Sequence, residues 1–361
     1  LRNYGIRVKR PGKFGSEVDF MKVLITGTEG YIGVMLTTAL LERGHQVTGV
    51  DTGYYRAGWL YNPGMAKFPV CINKDIRHIT EEDLKKFDAC IHLAELSNDP
   101  LGQLNPEITF KINHLATVAL AQKCKRAGTT RFIYTSSCSV YGVGADDYMT
   151  EESQTNPQTT YAKCKVLVER DLSAMADSDF SPTVLRNATA YGPSPRMRFD
   201  LVLNNLAGLA WTTRQIKMSS DGAPWRPLVH VLDICEAIAC VLEAPREIIH
   251  NQIFNVGDSK ENFRVREIAR IVAEIFPGCG LVFGINDGEN RSYRVSFEKI
   301  NSRLPGFKCK RNARTGAAEL RELFEKIAMS RETFEFRAFT RLKQLQYLIK
   351  SGQIDENLFW K

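Results

Sequence analysis

The architecture of this chain turns on KVLITGTEGYIGVMLTTALLERG, residues 22–44. KVLIT at 22–26 is a short apolar, β-branched run of the kind that forms a buried strand, and from about 31 to 43 apolar residues recur at helical spacing up to Gly44. Gly27, Gly30 and Gly33 stand between the two. A strand that turns directly into a helix needs the first glycine for the bend. The second lets the backbone approach a pyrophosphate, and the third lets helix and strand pack closely, while the helix N-terminus offers N–H groups and positive dipole to the anion. The flanking elements make the pattern informative, because glycines at this spacing alone are a weak signal.

The rhythm continues outward. QVTGVD at 46–51 and ACIHLA at 89–94 read as strands, followed by a long helix over about 105–127, the strand RFIYTSS at 131–137, a second long helix over about 158–176 and the strand PTVLRNAT at 182–189. Helices alternating with apolar strands predict an α/β fold, a doubly wound parallel sheet covered on both faces. Beyond Gly192-Pro193 the pattern is mixed: a helix near 200–213, strands QIKMSS and LVHVL, a helix over 233–243, the strand QIFNV, and helices near 265–276, 316–328 and 338–350. This places a leader at 1–20, a Rossmann domain at 21–192 completed by parts of 226–258, and at 193–361 a smaller mixed α/β lobe with the C-terminal helices. In the last helix Phe339, Leu342, Leu345 and Leu348 recur at helical spacing, as a docked helix requires.

Composition bounds the function. The chain has 361 residues, 43% apolar and 25% charged, as in soluble globular proteins and unlike disordered ones. No apolar run approaches the roughly 20 residues of a membrane span. The net charge of +7 is scattered among acids, which favours anionic small molecules over nucleic acid. Nine cysteines without a CxxC pair speak against a zinc site or a disulfide framework, so no metal is expected and a reducing, cytoplasmic setting is. Residues 1–20 carry five basic residues and no apolar core of a secretory signal.

Asp51 ends the second strand 18 residues beyond Gly33, near the ~20-residue offset at which an acid bonds a ribose 2′-OH. A carboxylate there repels a 2′-phosphate, so NAD is expected rather than NADP. Asp75 and Ile76 are candidates for the adenine contact. Tyr161 and Lys165, in YAKCK at a helix start, share one helical face. A phenol of ordinary pKa ~10 needs neighbouring positive charge to act as a base near neutrality, and Lys165 with an oxidised nicotinamide would provide it. Ser137, at the C-terminal end of RFIYTSS, lies where parallel sheets present residues to ligands and completes a catalytic trio.

Taken in order, TGTEGYIG (26–33), Asp51, HLA (92–94), SSCSVYG (136–142), YAKCK and LRNATAYGP (185–193) resemble the extended short-chain dehydrogenase/reductase family over about residues 21–310. Within it the chain is most similar to the NAD-dependent sugar-nucleotide epimerases and dehydratases, the group of UDP-galactose 4-epimerase. The resemblance implies a Rossmann domain, bound NAD, a nucleotide-sugar substrate, and a homodimer joined through the helices at 105–127 and 158–176. It implies NAD contacts from Gly27, Glu29, Gly30, Tyr31, Ile32, Gly33, Asp51, Asp75, Ile76, Leu93, Ala94 and Asn113, as well as Tyr161 and Lys165. Asn113 equally suits a structural role, as helical asparagines often do. For the substrate it implies Ser97, Ser137, Cys138, Ser139, Asn187 and Thr189, with Arg226 and Arg291 on the diphosphate, where a planar guanidinium pairs well with phosphate.

Three departures qualify the resemblance. The Asp-Glu pair that dehydratases carry after the catalytic hydroxyl is Cys138-Ser139 here, which disfavours dehydration. Thr189 stands where the family has a substrate-binding asparagine. Glu95 replaces a small residue beside the HLA turn, to meet a sugar hydroxyl or cap a loop. Cys138 is an additional acid/base or a buried thiol. The expected activity is epimerisation through a transient keto sugar with Tyr161 as acid/base. A keto-sugar nucleotide reductase or dehydrogenase is the nearest alternative, and an NAD-sensing scaffold the non-enzymatic one.

Overall fold

Four of the five residues of β1 (Lys22–Thr26) are buried, as a strand covered by helices on both faces requires. The computed structural model describes residues 20–62, 69–97, 99–144, 147–285 and 291–361; apart from Phe20, the leader expected at 1–20 lies outside them. β1 pairs in parallel with β2 (Gln46–Asp51), and β2 with β3 (Val70–Asn73). On its other side β1 pairs with β4 (Ala89–His92), followed by β5 (Arg131–Ser137), β6 (Ser181–Asn187) and lastly Gln252–Val256, all parallel. The resulting seven-stranded sheet reverses its winding between β1 and β4. At such a point the strand ends leave a crevice, and ligands of open α/β sheets bind there.

Smaller sheets flank the crevice: Thr189–Tyr191, Trp225–His230 and Asn262–Arg264 form one, and Gln215–Lys217 with Gly280–Val282 another. Helices Val202–Thr213, Val265–Ile275 and Ala313–Lys326 pack on one another beside them. The expected strand at 182–189 is divided, since β6 ends at Asn187 and Thr189 begins a strand of the smaller sheet. The expected LVHVL strand ends at His230, whose ring accepts from the Leu232 N–H and caps a helix starting at Val231. The long helix at 105–127 is three pieces: Pro106–Phe110, capped by Asn105, a π-helical turn over Lys111–Ala116, and Thr117–Arg126. Apolar periodicity does not register one extra residue per turn, and π turns are frequent at functional sites.

The C-terminal helix Arg341–Lys350 buries Leu345 and Leu348. Together with Ile354 and Leu358 they join the core that contains Tyr54, Ile76 and Ile79 and that also takes in Leu24, Cys90, Phe132 and Val184 of the sheet. No helix among the described residues is long and apolar enough to cross a membrane.

Candidate active site

A cleft of about 710 Å³ opens at the carboxyl ends of β1 and β4. Gly27 has φ +79°, and a Cβ there would lie 2.9 Å from the Ala94 nitrogen; a Cβ on Gly33 would lie 2.0 Å from the Gly27 oxygen. The turn therefore admits no side chain at either position. The helix that follows, Tyr31–Glu42, has Gly30 at its N-cap and no side chain capping it, so its first N–H groups are left for an anion. Gly27, Gly30, Tyr31, Ile32 and Gly33 all line the cleft. Tyr31 also locks the turn in place, its phenol donating to the Gly192 carbonyl at 2.7 Å.

Asp51 lines the same cleft; its carboxylate accepts from the N–H groups of Gly53 at 2.7 Å and Glu29 at 3.0 Å. Burial raises its pKa and these bonds oppose the rise. Glu29 does not line the cleft: its carboxylate takes Arg56 Nε at 2.6 Å, and its N–H holds Asp51. Asp75 and Ile76 reach the cleft, with Asp75 pairing to Arg77 at 2.7 Å and capping the turn Ile76–His78. Leu93 and Ala94 border it opposite the glycine turn. An uncapped helix start, a glycine cradle and a buried carboxylate at the end of β2 are what a dinucleotide requires, so the residues present fit NAD.

Ser137, Tyr161 and Lys165 converge on the other end of the cleft. Thr159 caps the helix Thr160–Met175 through the Ala162 N–H at 3.2 Å, fixing Tyr161 and Lys165 one turn apart in its first turns. Burial holds the Tyr161 phenol protonated, and the Glu95 and Asp99 carboxylates push the same way, while Arg198 and the Ser137 hydroxyl oppose them. Lys165 Nζ lies 5.3 Å from the centre of the Tyr161 ring, donates to the Thr135 carbonyl at 2.5 Å and pairs with Glu95 Oε2 at 2.5 Å. Glu95 lines the cleft beside them; its other oxygen accepts from the Tyr134 phenol at 2.7 Å, while Oε2 has the ion pair and, among the described residues, no hydrogen bond.

The expected substrate residues divide. Ser97, Ser139, Asn187, Thr189, Arg226 and Arg291 line the cleft. Ser139 Oγ and Asn187 Oδ1 are buried there without a hydrogen-bond partner among the described residues, two polar atoms of the kind a sugar hydroxyl satisfies. Arg226 donates to the Arg291 carbonyl, and Arg291 pairs with Asp99. Cys138 is not part of the lining: its thiol is buried, points to the Arg186 carbonyl at 3.2 Å, and is raised well above its ordinary pKa by burial. It packs as a small apolar group, 1% exposed. Asn113 is outside the lining as well. Its amide bonds the Leu96 N–H at 2.9 Å and the Leu96 carbonyl at 3.0 Å, so it braces the loop carrying Glu95 and Ser97.

Two buried arginines in the lining were not anticipated, Arg198 and Arg341. Arg198 holds Asp200 through two bonds, at 2.9 and 3.0 Å, and reaches Ser97 Oγ at 3.3 Å. The alternation RMRFD at 196–200 after the Gly-Pro turn was a usable signal for it; for Arg341, twenty positions before the end of the chain, the linear sequence held none.

Comparison with known proteins agrees with this geometry. UDP-glucuronic acid decarboxylase 1 of Xenopus tropicalis is 26% identical over 79% of this chain and 67% of its own length. UDP-glucose 4-epimerase of Corynebacterium glutamicum is 27% identical over 71% of this chain and 80% of its own. Among solved structures, MoeE5 in complex with UDP-glucuronic acid and NAD superposes with a TM-score of 0.72 at 29% identity, over 84% of this chain and 99% of that one. A model of the NAD dependent epimerase/dehydratase family matches residues 23–257, from β1 through the seventh strand of the sheet. With the glycine turn, Asp51 and the Ser137–Tyr161–Lys165 group all inside that span, the chain belongs to the NAD-dependent epimerase/dehydratase family and is an NAD-using enzyme.

Proposed function

We propose that the protein epimerises a nucleotide-activated sugar through a transient keto sugar. One observation carries this reading beyond the family: both carboxylates that act on Tyr161 are engaged. Glu95 is taken by Lys165 and Tyr134, and Asp99 by Arg291 and the Thr159 hydroxyl. Elimination of water needs an acid free to protonate the leaving hydroxyl, and Cys138, turned away, does not supply one. Epimerisation needs only one acid/base.

Bound NAD supplies a hydride acceptor that later returns the hydride, so the net redox change is zero. Tyr161 removes the proton of the sugar hydroxyl and gives it back to the same oxygen. Ser137 holds that oxygen, and Lys165 biases Tyr161 toward phenolate. Arg226 and Arg291 keep hold of the diphosphate while the keto sugar turns its other face. The chain works as a homodimer through the helices at 106–126 and 160–175, a reading supported by the exposure of Phe110 and Leu115 on the first of them.

The test begins with protein purified in cofactor-free buffer, denatured, and analysed for released NAD. The native protein is then given UDP-glucose, UDP-N-acetylglucosamine and UDP-glucuronic acid separately, without added cofactor. A product of unchanged mass and altered configuration, abolished by about 10²–10⁴-fold in Tyr161→Phe, is expected. Loss of water, loss of carbon dioxide, or turnover only with added NADH would replace epimerisation by dehydration, decarboxylation or reduction. Light scattering decides the dimer.

A further inference from the structure

We propose that the C-terminal segment Thr340–Trp360 is a wall of the cofactor site, and that Arg341 within it binds the diphosphate of the dinucleotide. The proposal rests on NAD lying along the glycine turn.

Arg341 is 3% exposed, yet it lines the cleft, its guanidinium stacked on the Tyr55 ring at 4.0 Å. Among the described residues no hydrogen bond or ion pair reaches that guanidinium: Asp200 and Asp51 act on it only from a distance, and Asp200 is held by Arg198. A second buried cation, Arg198, stands near it. Of the two buried guanidinium groups, Arg198 has a carboxylate in direct contact and Arg341, among the described residues, does not, and a buried charge without a direct partner is one a fold tolerates at substantial cost. A ligand anion in the cleft removes that cost, and a diphosphate matches the flat fork of an arginine.

The segment bearing Arg341 is fastened to the two stretches that follow the candidate adenosine contacts. After Asp51, the Thr52 carbonyl accepts from Trp360 Nε1 at 2.7 Å, the Tyr54 carbonyl from Gln344 Nε2 at 2.9 Å, and the Tyr54 phenol donates to the Leu358 carbonyl. After Asp75, Arg77 donates to the Asn357 carbonyl at 2.8 Å and lies over the Phe359 ring, which stacks on His78 at 4.8 Å. Ordering of these stretches by a ligand and docking of the segment are therefore linked, each strengthening the other. The substrate also carries a diphosphate. Arg341 is assigned to the dinucleotide because the ring it stacks on, Tyr55, follows Asp51 by four residues on the cofactor side of the cleft, whereas Arg226 and Arg291 belong to the other lobe.

The wild-type chain is compared with Arg341→Gln and Arg341→Lys by NADH fluorescence titration, UDP calorimetry and melting without ligand. Arg341→Gln is expected to weaken NADH by about tenfold to a hundredfold while UDP binding and the ligand-free melting temperature hold or the latter rises; Arg341→Lys falls between. Hydrogen exchange over 340–360 slows with NADH and not with UDP. Equal NADH affinity in wild type and Arg341→Gln overturns the proposal, as does a loss that falls on UDP instead, or one matched by a fall in ligand-free melting temperature, which marks a packing role. If Arg341→Gln does not fold, Arg341→Lys decides on the same criteria. A wild-type protein that binds UDP but not NADH refutes the dinucleotide site itself, a result distinct from failure of Arg341 alone.

Discussion

Lys165 Nζ lies 2.5 Å from Glu95 Oε2, with the two side chains 4% and 3% exposed, so the candidate catalytic lysine is held in a buried ion pair. The Thr135 carbonyl and the Tyr134 phenol complete the cage around it. The pair orients Lys165 toward Tyr161, and the same carboxylate, after burial, is the largest influence keeping the Tyr161 phenol protonated.

Replacing Glu95 by Gln keeps the shape and removes that charge. The Tyr161 pKa then falls, and the acid limb of the kcat/KM profile moves to lower pH. A role confined to packing would lower the melting temperature and leave the limb where it was.

His92 ends β4 between the Thr26 hydroxyl at 2.7 Å and the Thr117 hydroxyl at 2.8 Å. Burial first, and then the Lys165 charge, push its pKa down to about 3. The unfolded chain takes up this proton near pH 6.5 and the folded one does not. Stability is therefore complete above about pH 6.5 and declines as pH falls toward 3, by up to about 1.4 kcal/mol per pH unit. Urea titrations of wild type and His92→Gln between pH 7 and 4 should converge with that slope as the pH is lowered; parallel curves would show that His92 titrates normally.

Behind the cleft, Glu169 accepts from Arg186 at 2.7 Å and from the Ser136 hydroxyl at 2.5 Å, with both charged side chains 5% exposed. Glu169→Ala strands a buried guanidinium and is expected to cost about 3–5 kcal/mol in urea unfolding. A double replacement of Glu169 and Arg186 by Met should cost less than this single one, because no charge is left buried alone.

Asn113→Ala removes both bonds to Leu96 and leaves that buried N–H and carbonyl without partners, at about 1–3 kcal/mol each. Released NAD should remain at the wild-type level while kcat falls, since the loop set loose carries Glu95 and Ser97. A loss of NAD with unchanged kcat per loaded molecule would restore Asn113 to the cofactor.

Where local chemistry sets structure, the amino-acid order was sufficient. KVLIT, Gly27, Gly30 and Gly33 specify a strand, a turn and a helix within a dozen residues, because periodicity and the tolerance of glycine for φ +79° act on neighbours. The Tyr161–Lys165 spacing needs only a helical turn, and Asp51 only the end of a strand. The direction of the Cys138 thiol, the target of Asn113 and the partner of Glu95 were decided in the tertiary structure. So was the arrival of Arg341, 290 positions after Asp51, at the same cleft. In each of these the deciding contact joins elements remote in the chain, and its partner is chosen by how helices and strands pack and by which buried polar groups then need satisfying, which no local pattern of residues encodes.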